Sequence, residues 1–489
     1  MGNWVKAALL GTLGAAELLV SAAVHVGYAL YIFTTAVTAD VAASLVARLM
    51  SRGAAKDAAA DGEAEAALDG AVPPIVLVHG IFGFGKGRLG GLSYFAGAEE
   101  KDDRVLVPDL GALTSVHDRA RELFYYLKGG RVDYGEAHSA EHGHARFGRT
   151  YSRGHYPAWD AGHPAHFVGH SAGAQVIRLL QQMLHDGEFE GHGDTSERWV
   201  LSVTSLSGAL NGSTRAYIDG ARPEDAGGRA LRPACLLQVC RIAAVLHHWL
   251  DLPWLNRYYD FGLGHFAMSR RVAGVAGLVD LLAGANGRWG PFATGDWILP
   301  DLTIHGAART NARLRTFPCT FYFSYATRCT AGRRGGGDGD GGTMPSRLLG
   351  IHPLLLLRTL QMRWWRYPAG VEPPYERYRD EDWEDNDGAL NTFSMTHPRV
   401  PDEHPALPLE GDGDCPPRPG VWYYRIVEAD HMAFVINCRR GGAQFDLVYD
   451  SIFHNCRRRV VRTAPAPPPT LPDQSESELT PNHDLAGTS

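Results

Sequence analysis

An α/β domain, with a mostly parallel central sheet flanked by helices, is the fold class this sequence predicts, and two observations predict it. Short continuous runs of β-branched and aromatic residues recur: PPIVLVHG, VLVPDL, AHFVGH, WVLSVTSL, TFYFSYA and VWYYRIVEAD. Runs of this length without polar alternation fit strands buried on both faces, as parallel strands are. Helix-like stretches stand between several of them, RARELFYYL after Asp118 and AQVIRLLQQML after Gly173. Strands alternating with helices build parallel sheets.

The 489 residues are enough for one enlarged unit of this kind or for about three ordinary domains. Hydrophobic residues at 45% and charged residues at 21% allow a full core and exclude disorder throughout. The 47 basic and 54 acidic residues are spread along the chain, so a polyanionic partner such as nucleic acid is not expected. No pattern points to a protein partner or an oligomeric state. The 7 cysteines are odd in number and form no CxxC pair, which speaks against a disulfide framework and leans toward a reducing compartment.

Taken in order, residues 1–53 contain the apolar run LLVSAAVHVGYALYIFTTAV, Leu18 to Val37, which is long enough to cross a bilayer as a helix. A membrane-associated helix is the expectation, on the endoplasmic reticulum or another intracellular membrane. A secretory signal and a buried or surface-lying helix are the alternatives. Arg48, Arg52 and Lys56 follow the run and only Lys6 precedes it, which places the rest of the chain on the cytosolic side. Residues 54–71 are mostly Ala, Asp and Glu and read as a solvated linker. Residues 72–460 hold the α/β pattern, interrupted at 331–342 by the Gly-rich AGRRGGGDGDGG, a flexible insertion. Residues 461–489 are Pro-rich and then Ser/Glu-rich, the composition of a disordered tail.

The sharpest local signal is GHSAG, Gly169 to Gly173, set between the strand-like AHFV and the helix-like AQVIRLLQQML. That context is what a nucleophile elbow requires. The two glycines let strand and helix approach closely, and Ser171 is lifted above the sheet beside a helix N-terminus. A serine nucleophile also needs a base and donors for the developing oxyanion. The loop HGIFGFG after the first strand can present the N–H of Ile81, and Ala172 after the serine presents another. In the α/β-hydrolase fold the acid and then the histidine follow the serine. WEDNDGALNTFSM offers Asp385 and Asp387, and EADHMAFV offers His431, one of 22 histidines.

These segments carry a family resemblance. VDYGEAHSAEHGHARFGRTY, Val132 to Tyr151, resembles a stretch of the thermophilic Bacillus/Geobacillus and staphylococcal true lipases, and the acid and histidine segments are similar to theirs. The resemblance runs with gaps from about Pro74 to His431. It implies that Ser171 is the nucleophile, Asp387 the triad acid and His431 the base, with Ile81 and Ala172 as oxyanion donors. It also implies a structural zinc held by Asp118, His138, His144 and Asp296, a closed set of two imidazoles and two carboxylates. Residues 233–259, PACLLQVCRIAAVLHHWLDLPWLNRYY, correspond to the lid of those enzymes.

The sequence also departs from that pattern. Ala433 and Cys438 stand where the family has acidic calcium ligands, so calcium is not expected. The apolar leader, the insertion and the tail make the chain more similar to a eukaryotic, plant-type branch. The function expected is that of a serine-dependent lipase acting on a lipid ester at a membrane or lipid surface, with triacylglycerol as the leading substrate. The alternatives are a phospholipid or galactolipid acyl hydrolase, a carboxylesterase or acyltransferase, and a catalytically silent lipid- or partner-binding protein.

Overall fold

The computed structural model describes residues 15–23, 27, 34, 38, 72–268, 274–331, 344–345, 350–409, 416–436 and 442–460. All six predicted runs form strands of one seven-stranded sheet: β1 (Ile75–Val78), β2 (Val105–Leu106), β5 (Ala165–His170), β6 (Val200–Leu206), β7 (Phe321–Arg328) and β11 (Trp422–Glu428). The seventh, β10 (Ala406–Pro408), lies at one edge. The sheet order is β10-β11-β7-β6-β5-β1-β2. Every pairing in it is parallel. Two antiparallel pairs lie apart from it, β3 (Gly130–Asp133) with β4 (Phe147–Tyr151), and β8 (Thr330–Ala331) with β9 (Met344–Pro345).

Side chains leave the sheet alternately to its two faces, and both faces are covered. Val76 and Val78 join one apolar cluster with helices α1 (Val116–Lys128) and α3 (Gly173–Asp186). Ile75 and Leu77 join a second with the C-terminal helix Ala443–His454. A sheet buried on both sides explains why its strands read as unbroken apolar runs. Helix α2 (Glu136–His142) sits inside the β3–β4 connection. The candidate lid at 233–259 contains α4 (Leu236–Leu250) and α5 (Pro253–Tyr258), and α4 packs on α6 (Gly274–Ala285).

Residues 15–23 are helical. Glu17 accepts a hydrogen bond at 2.6 Å from Arg358, and Arg358 also pairs with Asp219 at 2.7 Å. Most of the apolar run Leu18 to Val37 lies outside the described residues, as do the linker 54–71, the tail 461–489, Cys438, and all of the 331–342 insertion except Ala331. Among the described residues, no helix is long and apolar enough to cross a membrane.

Three histidines are built into the sheet or its ends. His79 and His166 are lowered to about 3, with burial the largest cause. His170 is held well below its ordinary value, again chiefly by burial. The unfolded chain binds protons at these sites below about pH 6.5 while the folded chain does not, so stability falls as pH drops. Fully expressed, each contributes a slope of about 1.4 kcal/mol per pH unit. Thermal melts should therefore fall steadily from pH 6.5 toward pH 4, and His166→Gln should lose less than the wild type between pH 6.5 and 5. A melting temperature flat across that window would contradict this account.

Candidate active site

The turn from β5 into α3 is as tight as GHSAG implies. A Cβ on Gly169 would come within 2.5 Å of the backbone of Gly173 and Ala174, and one on Gly173 within 2.3 Å of the Val78 carbonyl. Ser171 has φ of 56°, in the left-handed region. Its N–H donates to the Leu206 carbonyl at 3.1 Å, and its own carbonyl accepts from Ala209 at 3.0 Å.

His431 arrives on the loop after β11, 260 residues from the serine. Its Nε2 lies 3.0 Å from Ser171 Oγ, and its Nδ1 lies 2.8 Å from Asp387 Oδ2. Asp387 sits in the loop after the Trp383 turn and is fully buried. Its Oδ1 accepts from the N–H groups of Ala389 at 2.9 Å and Leu390 at 2.7 Å, and its Oδ2 also accepts from Thr327 Oγ1 at 2.5 Å. Burial pushes the carboxyl up, but the charge and hydrogen bond of His431, with those from Thr327 and Leu390, hold it below its ordinary value. The carboxylate is thus ionised and acceptor-only toward Nδ1–H. The neighbouring candidate Asp385 faces elsewhere, accepting from Thr330 Oγ1 at 2.8 Å. Among the described residues, neither the N–H of Ile81 nor that of Ala172 donates a hydrogen bond.

A second group converges near the N-terminus of α1. Ser115 and Asp301 cap that helix, accepting from Asp118 N–H at 3.2 Å and Val116 N–H at 2.8 Å. The cap presents Asp118 to His138 and His144 from the β3–β4 connection and to Asp296. One ligand atom from each of the four lies within 4.8 Å of all the others. His138 Nε2 is 3.2 Å from Asp118 and 3.2 Å from Asp296, and His144 Nε2 is 3.3 Å from Asp296. A tetrahedral ion with bonds of about 2.05 Å keeps its ligands about 3.3 Å apart, so these spacings suit one. His144 Nδ1 donates to the Ala145 carbonyl at 2.9 Å, leaving the lone pair of Nε2 aimed into the cluster. That Nε2 is buried without a hydrogen-bond partner among the described residues. Burial would depress His138, yet hydrogen bonds to the two carboxylates raise it to about 9. Two buried carboxylates demand a cation, and the donor set fits a metal ion.

Seven of the nine predicted site residues are therefore brought together in two groups, the Ser171–His431–Asp387 line and the Asp118 cluster. Ala172 follows Ser171 in the chain, and Ile81 follows Gly80, where a Cβ would come within 2.8 Å of Ser171 Cβ. The structure adds residues that sequence reasoning missed. His265 Nε2 lies 3.0 Å from Asp118 Oδ2, and His117 stacks on His138 at 3.6 Å between ring centres. Thr327 on β7 holds the acid. None carries a local motif; His265 and Thr327 join a site only through long-range approach, and His117 stands beside Asp118 in the chain.

Residues 72–197 match the family described as lipase-like, C-terminal domain. The lipase of Staphylococcus hyicus is 31% identical over 275 residues, 52% of this chain and 40% of its own. Lipase 2 of Staphylococcus aureus (strain MRSA252) is 27% identical over 421 residues, 79% of this chain and 54% of its own. The crystal structure of the S. hyicus lipase aligns with a TM-score of 0.58 at 26% identity, covering 81% of this chain and 96% of that one. The chain is homologous to the staphylococcal lipases. It spans about half the length of these two curated relatives. The family match at 72–197 contains β1, β2, β5 and the elbow, and the seven-stranded parallel core is the fold that the sequence predicts.

Proposed function

We propose that this chain is a serine-dependent hydrolase of lipid esters, with triacylglycerol as the leading substrate. The observation that carries the reading is the continuous line from Ser171 Oγ through His431 to Asp387, at 3.0 and 2.8 Å, in a chain homologous to lipases. Ser171 attacks the ester carbonyl while His431 Nε2 takes its proton. Asp387 holds the imidazole with Nδ1–H toward itself and stabilises the charged ring. The N–H groups of Ile81 and Ala172 receive the oxyanion. His431 then protonates the leaving alcohol, and a water activated by the same nitrogen releases the acid from the acyl-enzyme.

Asp118, His138, His144 and Asp296 would hold a structural Zn²⁺, which would tie α1, the β3–β4 connection and the Asp296 loop together; no step of hydrolysis passes through it. The candidate lid has an apolar outer side. Ile242, Leu246 and Leu250 on α4 and Trp254 on α5 are exposed, and so are Val275, Leu278, Val279 and Leu282 on α6, which packs on α4 but lies beyond the 233–259 segment. Spacings of three and four residues put these side chains on helix faces that water does not favour, which supports docking on a lipid surface. Membrane association of the whole chain is part of the same reading.

The test is hydrolysis of a triolein emulsion, a phospholipid vesicle and a short p-nitrophenyl ester, each beside Ser171→Ala. Release of fatty acid by the wild type alone, fastest from triolein, is the expected result. Preference for the phospholipid would replace triacylglycerol as the substrate. Equal inactivity of both folded proteins on all three would sink the hydrolase reading.

A further inference from the structure

Behind the proposed oxyanion loop lies a group of buried polar side chains for which the steps above give no role. Arg119, in the first turn of α1, is fully buried. Its Nη1 donates to the Gly80 carbonyl at 3.3 Å, and its Nη2 donates to the His79 carbonyl. The Leu110 N–H donates to His79 Nε2 at 3.2 Å, and Arg119 Nη2 lies 3.1 Å from His79 Nδ1. Nδ1 also lies 3.0 Å from the Gly80 carbonyl. Burial, the largest influence, lowers His79 to about 3 and so keeps that ring neutral.

The other side of Gly80 is held as well. Its N–H donates to Tyr94 Oη at 3.2 Å. Tyr94 lies 2.9 Å from His170 Nδ1, and His170 Nε2 lies 3.2 Å from the His431 carbonyl. A carbonyl can only accept, so His170 Nε2 carries its proton and Nδ1 accepts from the tyrosine. The bonds thus run from Gly80 through Tyr94 and His170 to the backbone of His431.

The peptide joining Gly80 to Ile81 is planar and trans, so its C=O and N–H point in opposite directions. The Arg119 donor fastened to the Gly80 carbonyl, with the buried His79 ring against it, therefore fixes where the Ile81 N–H is aimed. The unit lies against the nucleophile, since a Cβ on Gly80 would come within 2.8 Å of Ser171 Cβ. A donor in an oxyanion hole is effective only when its direction is set before the charge appears. We propose that Arg119, His79 and Tyr94 are positioning residues that aim the Ile81 N–H at the developing oxyanion, and that Tyr94 with His170 ties this loop to the base His431. The proposal rests on the hydrolase reading above.

The experiment uses the full chain with Tyr94→Phe, which keeps the ring and removes the hydroxyl, and Arg119→Lys, which keeps the charge and removes the fork. Each is measured for kcat and KM on a soluble p-nitrophenyl ester and for inhibition by a trifluoromethyl ketone, whose adduct carries an oxyanion. Loss of aim should lower kcat by about tenfold in Tyr94→Phe and up to about a hundredfold in Arg119→Lys, with KM within about twofold. The inhibition constant for the ketone should rise by the same factors as kcat/KM falls, a correspondence that a merely structural role would not produce. If Tyr94→Phe melts like the wild type and both kcat and the ketone constant stay within about twofold, the proposal is overturned while the hydrolase stands. A fall in kcat with no change in the ketone constant overturns it too. An inactive wild type, insensitive to Ser171→Ala, removes the hydrolase reading itself.

Discussion

Asp387→Asn should lower kcat on an emulsified ester by about 10⁴-fold with little change in melting temperature. The Asp387 side chain uses its two oxygens differently. Oδ1 accepts from the Ala389 and Leu390 N–H groups, and Oδ2 faces His431 Nδ1 and Thr327 Oγ1. An asparagine in the same place must turn its oxygen to the two fixed N–H donors, which leaves its NH₂ pointing at His431 Nδ1. The imidazole then presents a lone pair on Nδ1 and carries its proton on Nε2, toward Ser171. In that tautomer it cannot accept the proton of the hydroxyl. Volume and burial are unchanged, so the fold has no reason to respond. Asp385→Asn is the control, because that carboxylate pairs with Thr330 and does not face His431. Rates measured by titration of released acid decide the matter; a loss in Asp387→Asn of less than about tenfold would remove Asp387 from the proposed triad.

Equilibration with a strong chelator should lower the melting temperature by about 8 °C. The figure follows from about 4 kcal/mol for a metal present at a thousandfold excess over its dissociation constant, at about 2 °C per kcal/mol for a large domain. The physical reason is the pair of carboxylates. Asp118 is completely buried and Asp296 is 3% exposed. Without a divalent ion, only protons on the nearby imidazoles remain to balance them. Zinc should restore the melt and calcium should not, since two imidazole nitrogens suit zinc and calcium takes oxygen ligands. His144→Ala should melt low with or without chelator. A wild type that binds less than about a tenth of an equivalent of metal and melts identically in chelator would refute the metal site.

The parallel sheet was legible because its inner strands are buried on both faces and so lack polar interruptions. Edge strand β10 was not: Ala406–Pro408 is three residues long and ends in proline, too short for any periodicity. The β3–β4 pair escaped for another reason. Gly130 and Arg131 are exposed and Asp133 is charged, so Val132 alone carries an apolar signal in β3. Within the candidate site, Ser171 announces itself because an elbow is a local structure with a local pattern. The acid could be narrowed only to Asp385 or Asp387, since what separates them is which one meets a histidine 44 residues later. His431 could be chosen among 22 histidines only through family resemblance. His265, 147 residues from the aspartate it touches, has no signal in the chain at all.

The left-handed backbone at Ser171 has a thermodynamic consequence. A residue with a β-carbon in that region lies about 1–2 kcal/mol above its relaxed state, and the surrounding hydrogen bonds to Leu206 and Ala209 must hold it there. The same turn built with glycine at 171 carries no such cost and would make a more stable protein without the proposed nucleophile. Alanine keeps the β-carbon and so keeps the cost. In the proposed hydrolase the elbow is therefore a place where drift toward greater stability and retention of chemistry run in opposite directions, and a serine persists there only as long as that chemistry is selected.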